Sequence, residues 1–238
     1  MSCLKDVPPF HVHSVRTILQ SRLKLPPELA SFIISLAQYR ARIAVLRHTT
    51  IIYQSKDYFD TEIGHTSVAG LYLISPPIPS AEEVLRVKSV KFRMLASEQG
   101  RSSFAGDGAY HNSNTWFEAS ILQPTITSSP DILNFKDSWL IRATPIDALD
   151  VLRENGVQFR SMMDERVVWK VHSNITGQSE PREYHVEWVA GEKVDLAEEK
   201  EGIGIGMGDG EGFVESLRPG DKIALDKEQY TELSKLAL

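Results

Sequence analysis

A chain of 238 residues with 42% hydrophobic and 24% charged side chains can bury a core without covalent staples, which excludes disorder throughout. A formal charge of -6 with no basic run removes the global attraction to phosphate that nucleic-acid binding uses, and the single Cys3 excludes an internal disulfide. No apolar run approaches the roughly 20 residues that cross a bilayer, and MSCLKDVPPFHVHSV lacks a basic-then-apolar secretory pattern, so the expected location is cytoplasmic or nuclear, with neither nucleic acid nor membrane as partner.

The first chemical feature is an H-x-H pair, His11 and His13, which would share one side of a strand but has no thiolate or carboxylate companion at ligand spacing. It therefore reads as a solvated feature rather than a metal site. In LPPELASFIISLAQY, Leu29, Phe32, Ile33, Leu36 and Ala37 recur with helical period behind Pro26 and Pro27, residues suited to a helix start. Such a face needs a surface to cover it: the rest of this chain, which is the plainer expectation, or a partner. RARIAVLRHTTIIYQSKDYF has mixed signals, read as a continuing helix and then a short strand. Three prolines in LISPPIPSAEE, Leu73 to Glu83, favour extended linker backbone and divide the chain into a helical segment, 1–82, and a second domain, 83–238.

Beyond that division the period becomes two. Val90, Phe92 and Met94 alternate with Lys91 and Arg93; Val167, Trp169 and Val171 share a face, as do Tyr184, Val186 and Trp188. TWFEASIL (115–122), SWLIRA (138–143) and DKIAL (221–225) after the RPGD turn complete the strand candidates. PIDALDVLRENG (145–156) predicts one short helix ending at Asn-Gly. GEKVDLAEEKEGIGIGMGDGEG (191–212), acidic and then glycine-rich, predicts a mobile loop, and DKEQYTELSKLAL a short helix or frayed tail. The fold class that follows is mainly β: an antiparallel β-sandwich of the jelly-roll kind with an N-terminal helical segment.

Catalytic signatures are missing from the sequence. No frame of the glycine run spells G-x-G-x-x-G, no GK[ST] exists, and neither HExxH, GxSxG nor a Cys–His arrangement occurs. Asp209 and Glu211 are too few to hold calcium. No cofactor and no metal are expected. Trp116, Trp169 and Trp188 sit in alternating strands, where each can bury about 150–250 Å², worth roughly 4–6 kcal/mol, so core is the stronger reading for them than a sugar-stacking platform. Asn174, in an N-x-T pattern, reads as a surface turn. The polar loop SEQGRSSFAGDGAYHNSNT (97–115) suits a binding rim, with Glu98, Arg101, Phe104, Tyr110, His111 and Asn112 as candidate ligand contacts.

LPPEL at 25–29, Leu36 to Tyr39, SEQG at 97–100, TWFEA at 115–119, Trp139, Asn174 with His185 to Trp188, and SLRPGDKIAL at 216–225 together resemble a family of mostly uncharacterised fungal proteins. The arrangement looks like an F-box-type start joined to a galactose-binding-like jelly roll. The resemblance implies a substrate receptor of a ubiquitin ligase, with a Skp-family adaptor as partner and a glycan or glycoprotein as a second. The expected function is thus a non-enzymatic binding or adaptor protein whose Leu25, Pro26, Leu29, Phe32, Ile33 and Leu36 meet the partner. The alternatives are an intracellular carbohydrate-binding module using the 97–115 loop, and an enzyme of unknown type.

Overall fold

The computed structural model describes residues 9–37, 39, 42–48, 65–79, 86–97, 110, 113, 115–125, 141–142, 149–160, 167–177, 179–193 and 206–232. The chain divides into two compact units, Met1–Arg47 and His48–Leu238. The first holds α1 (Pro9–Ser21) and α2 (Pro27–Leu36), which pack on each other.

No periodic signal marked α1, whose half-buried Val12, Val15 and Leu19 lie among β-branched and histidine residues. Ser14, Thr17 and Ser21 donate back to the carbonyls of Phe10, His13 and Thr17. His11 and His13 therefore lie on a helix, where residues two apart point in different directions, and not on one side of a strand. Lys24, at φ 55, turns the chain out of α1. Pro27 starts α2 and Glu28 complements its N-terminal dipole. The continuing helix expected after Tyr39 is not formed at 42–48, which is neither helix nor strand.

The second unit is built from β1 (His65–Ile74), β2 (Ser89–Ala96), β3 (Thr115–Pro124), β4 (Ile141–Arg142), α3 (Leu149–Glu154), β5 (Val157–Phe159), β6 (Val168–Ser173), β7 (Arg182–Val189), α4 (Phe213–Ser216) and β8 (Lys222–Glu232). One sheet has the order β4-β1-β8-β3-β5, with β6 also on β3; β2 and β7 form a second. Every pairing is antiparallel, and strand exceeds helix among the described residues. β1 lies upstream of the expected division at 82/83, and the proline-rich segment is tied down. Ser75 N donates to Ile223 O (2.8 Å), Ile78 N to Asp221 O (2.8 Å) and Gly220 N to Ile78 O (2.7 Å). Proline keeps this backbone extended, and an extended backbone can lie along a neighbour as readily as it can link domains.

β8 runs to Glu232 and pairs with β3 on one edge and β1 on the other. The polar DKEQYTE therefore continues a strand where a helix or tail was expected, because two-sided pairing outweighs its weak strand propensity. Arg160 grips the buried Asp221 of the turn before β8 with two of its guanidinium nitrogens (Nη2–Oδ1 2.7 Å, Nε–Oδ2 3.1 Å), and Arg218 N donates to the same carboxylate (2.8 Å).

One core serves both sheets. Phe92, Met94, Tyr184, Val186 and Trp188 from β2 and β7 pack with Phe117, Ala119, Ile121, Trp169 and Val171 from β3 and β6. Phe213 of α4 sits at the centre, edge-on to Trp169 (5.1 Å) and Trp188 (4.9 Å) and 6.4 Å from Phe92. Trp116 does not join this core; it lies half-buried on the other face of β3, its Nε1 donating to Glu118 (2.8 Å).

The glycine run also departs from expectation. Although 194–205 lies outside the described residues, 206–212 is packed against β6 and β7. Gly206 O accepts from Ser173 N (2.7 Å), Gly208 N donates to Val171 O (3.1 Å), and the Trp188 and Trp169 indoles donate to Gly208 O (3.2 Å) and Glu211 O (2.9 Å). At Gly210, φ 63, an added Cβ would fall 2.3 Å from the Trp188 ring. Close approach, more than mobility, calls for glycine here.

Phe213→Ala is expected to cost about 3–5 kcal/mol, read as a lower urea midpoint at unchanged slope. Gly210→Ala meets both a ring and a left-handed backbone and should lose clearly more melting temperature than Gly191→Ala. At Gly191, φ is 77 but nothing lies within 4 Å of an added Cβ, so that cost is limited to about 1–2 kcal/mol of backbone strain.

Candidate functional site

Of the predicted partner-binding residues, Leu29, Phe32, Ile33 and Leu36 are 50%, 59%, 41% and 68% exposed. Pro26 is exposed as well, and Leu25 is half-buried. α2 carries two apolar stripes. Ala30 and Ile34, four apart, are the buried residues of the helix, whereas Leu29, Phe32, Ile33 and Leu36, at i, i+3, i+4 and i+7, remain in contact with water. Small Ala30 is wholly covered, and the bulky stripe is left as a continuous exposed surface.

In the 97–115 loop, Glu98, Arg101, Phe104, His111 and Asn112 lie outside the described residues. Tyr110 is half-buried against the core, its ring edge-on to His172 at 5.3 Å and close enough to Gly206 that an added Cβ would sit 2.6 Å from it. His172 reaches this position through a bulge. Phe117 pairs with His172 and Glu118 with Lys170, so Val171 is the extra residue and both Val171 and His172 are buried. Without the bulge, alternation would turn His172 outward. Burial lowers the His172 pKa, and its Nδ1 lies 2.5 Å from the Ser173 carbonyl oxygen. Asn174 follows, fully buried, donating through Nδ2 to Thr115 Oγ1 (2.7 Å), with no hydrogen-bond partner for Oδ1 among the described residues. A surface turn it is not: Asn174 directly follows β6, and its N donates to Thr115 O (2.9 Å), which extends the β6–β3 ladder by one step.

The opposite face of the larger sheet holds a feature that sequence reasoning missed. Glu118 of β3 pairs directly with Asp226 of β8 on one side and with Lys170 of β6 on the other. Asp226 is buried, and the Ser120 hydroxyl donates to it at 3.4 Å. Burial first and the neighbouring Glu118 second push its pKa up to about 7, and burial also raises Glu118 despite the Trp116 indole and Lys170. Desolvation lowers Lys170 in turn. A period of two in TWFEASIL is a signal that would put Trp116, Glu118 and Ser120 on one face, but Asp226 joins them only through the β3–β8 register.

A shallow cleft of about 270 Å³ is lined by Trp188, Lys193, Asp209, Glu211 and Glu215, among others. Three of its four carboxylates are engaged: Glu211 pairs with Lys193 (3.0 Å), Glu215 accepts from Gly191 N (2.5 Å) and Asp209 from Glu211 N (3.1 Å). Among the described residues no group of three His, Cys, Asp or Glu side chains is placed to hold a metal ion, and no helix is long and apolar enough to cross a membrane. The chain matches no protein-family model, no curated protein and no solved structure.

Asp226 ties stability to pH. Its folded value of about 7 lies above the ordinary 3.8, so the stability it contributes is full below about pH 4 and is lost as pH rises through 7. Asp226→Asn should match the wild type near pH 4 and exceed it at pH 8, by at most about 4 kcal/mol, in urea unfolding across that range.

Proposed function

We propose that the chain is a non-enzymatic adaptor, a substrate receptor of a ubiquitin ligase, in which α2 docks on a Skp-family adaptor and the β-rich unit receives the cargo. The observation that carries this reading is the exposed stripe Leu29, Phe32, Ile33 and Leu36, flanked by Pro26. Fully burying such a side chain is worth about 1.5–3 kcal/mol. With roughly half of each still exposed, the four together offer on the order of 3–6 kcal/mol to a partner. A helix laid by its apolar face into a groove is an established recognition mode that uses this spacing.

In this reading the two sheets form a sandwich of the galactose-binding-like, jelly-roll kind, supported by the core they share. The protein acts in the cytoplasm or nucleus. Recognition of a glycan by the 97–115 loop is the weaker alternative, because the described aromatic of that loop, Tyr110, spends its ring on His172.

Co-purification of the intact chain with a Skp-family adaptor tests the proposal. Wild type is expected to be retained, and a Leu29→Gln, Phe32→Gln, Ile33→Gln variant to be lost from the complex with its melting temperature nearly unchanged, since these positions are already exposed. A folded wild type that fails to bind, or a variant that binds equally well, overturns it.

A further inference from the structure

The two units differ sharply in charge. Met1–Arg47 carries seven Lys and Arg against two Asp and Glu, a net of +5, whereas His48–Leu238 carries 19 against 30, a net of -11. The overall -6 thus conceals a basic N-terminal unit.

Within that unit the basic residues have a definite placement. α2 contains no Lys or Arg, and α1 contains only Arg16. The exposed Arg22 and Lys24 stand just before α2, beside the exposed Leu23, and the exposed Arg42 follows it, beside the exposed Ile43. Along the chain, cations bracket the apolar stripe and do not run beside it.

An amphipathic helix that lies in a lipid surface has the reverse arrangement, with Lys and Arg along the polar face of the helix itself. On α2 the polar positions are Glu28, Ser31 and Ser35, which offer no positive charge to an anionic headgroup. An apolar centre with charged residues at its margins is instead the anatomy of a protein–protein interface. A second copy of this chain is the less suitable occupant. The outer face of β2 and β7 that exposes Leu95 also carries Lys91 and Arg93, paired with Glu187 and Glu183, and so offers the stripe no acidic apolar groove.

We infer that Arg22, Lys24 and Arg42 form the charged rim of the α2 docking surface, so that its protein partner surrounds an apolar groove with carboxylates. This rests on the adaptor reading above and adds the partner's surface chemistry to it. Rim charges act mainly on the association rate and are screened by salt, whereas the apolar stripe holds the complex once formed.

The test measures binding kinetics of the intact chain to a Skp-family adaptor at 50 and 500 mM NaCl, for wild type, Arg22→Glu with Arg42→Glu, and Arg22→Lys with Arg42→Lys. Vesicles with and without about 30% phosphatidylserine run in parallel. The charge-reversed variant is expected to associate about tenfold more slowly at low salt, to lose most of that deficit at high salt, and to keep its melting temperature; the Lys variant should behave like wild type. Binding that ignores both salt and charge reversal overturns the rim while leaving the adaptor reading intact. Failure of the folded wild type to bind the adaptor at either salt overturns both. Binding to phosphatidylserine vesicles in place of the adaptor, lost on charge reversal, overturns the protein partner in favour of a lipid surface.

Discussion

Phe213 is the joint on which the β-rich unit depends. It belongs to a four-residue helix with no exposed surface of its own at that position, and its ring meets indoles from both sheets. A two-stranded ribbon such as β2–β7 is marginal by itself. Here it is held by aromatic edges inserted between Trp188, Phe92 and the larger sheet's Trp169. Edge-to-face rings add about 0.5–1.5 kcal/mol per pair beyond area burial, and Phe213 makes two at about 5 Å.

The segment that delivers Phe213 has to approach β6 and β7 closely. Gly206, Gly208 and Gly210 allow this, and the tryptophan indoles then find backbone carbonyls at Gly208 and Glu211 for the N–H groups that burial would otherwise leave unpaired. The bulge at Val171 belongs to the same design, since it turns His172 inward against Tyr110 and Tyr184 and lets His172 bridge to Met207. Glycine density, strand bulge and aromatic joint thus serve one packing problem.

The helical unit is built on a different principle. It buries Ala30 and Ile34 and leaves large apolar side chains in water, a poor arrangement for stability alone. Its net charge is also opposite in sign to that of the rest of the chain, and the proposed docking role rests on these two features. The carboxylates on the β-rich unit are a separate matter: the buried Asp226 beside the half-buried Glu118 makes stability depend on pH.

The strands with one apolar face were legible in the order of residues alone. Phe92 and Met94 in β2, and Tyr184, Val186 and Trp188 in β7, alternate with exposed neighbours, because a half-buried strand must repeat every two residues; in β3 it is Phe117, Ala119 and Ile121 that face the core, not the Trp116 that was expected there. Also legible was the α2 stripe, whose period is written in Leu29, Phe32, Ile33 and Leu36, though not that the stripe would stay exposed. Long-range packing set the rest: that β1 joins β8, that a polar tail becomes a strand, that glycines pack, that Asn174 is buried, and that Glu118 faces Asp226. Each of these depends on a register or a close approach between segments far apart in the chain. Local composition carries no record of which segment will supply the other half of a contact.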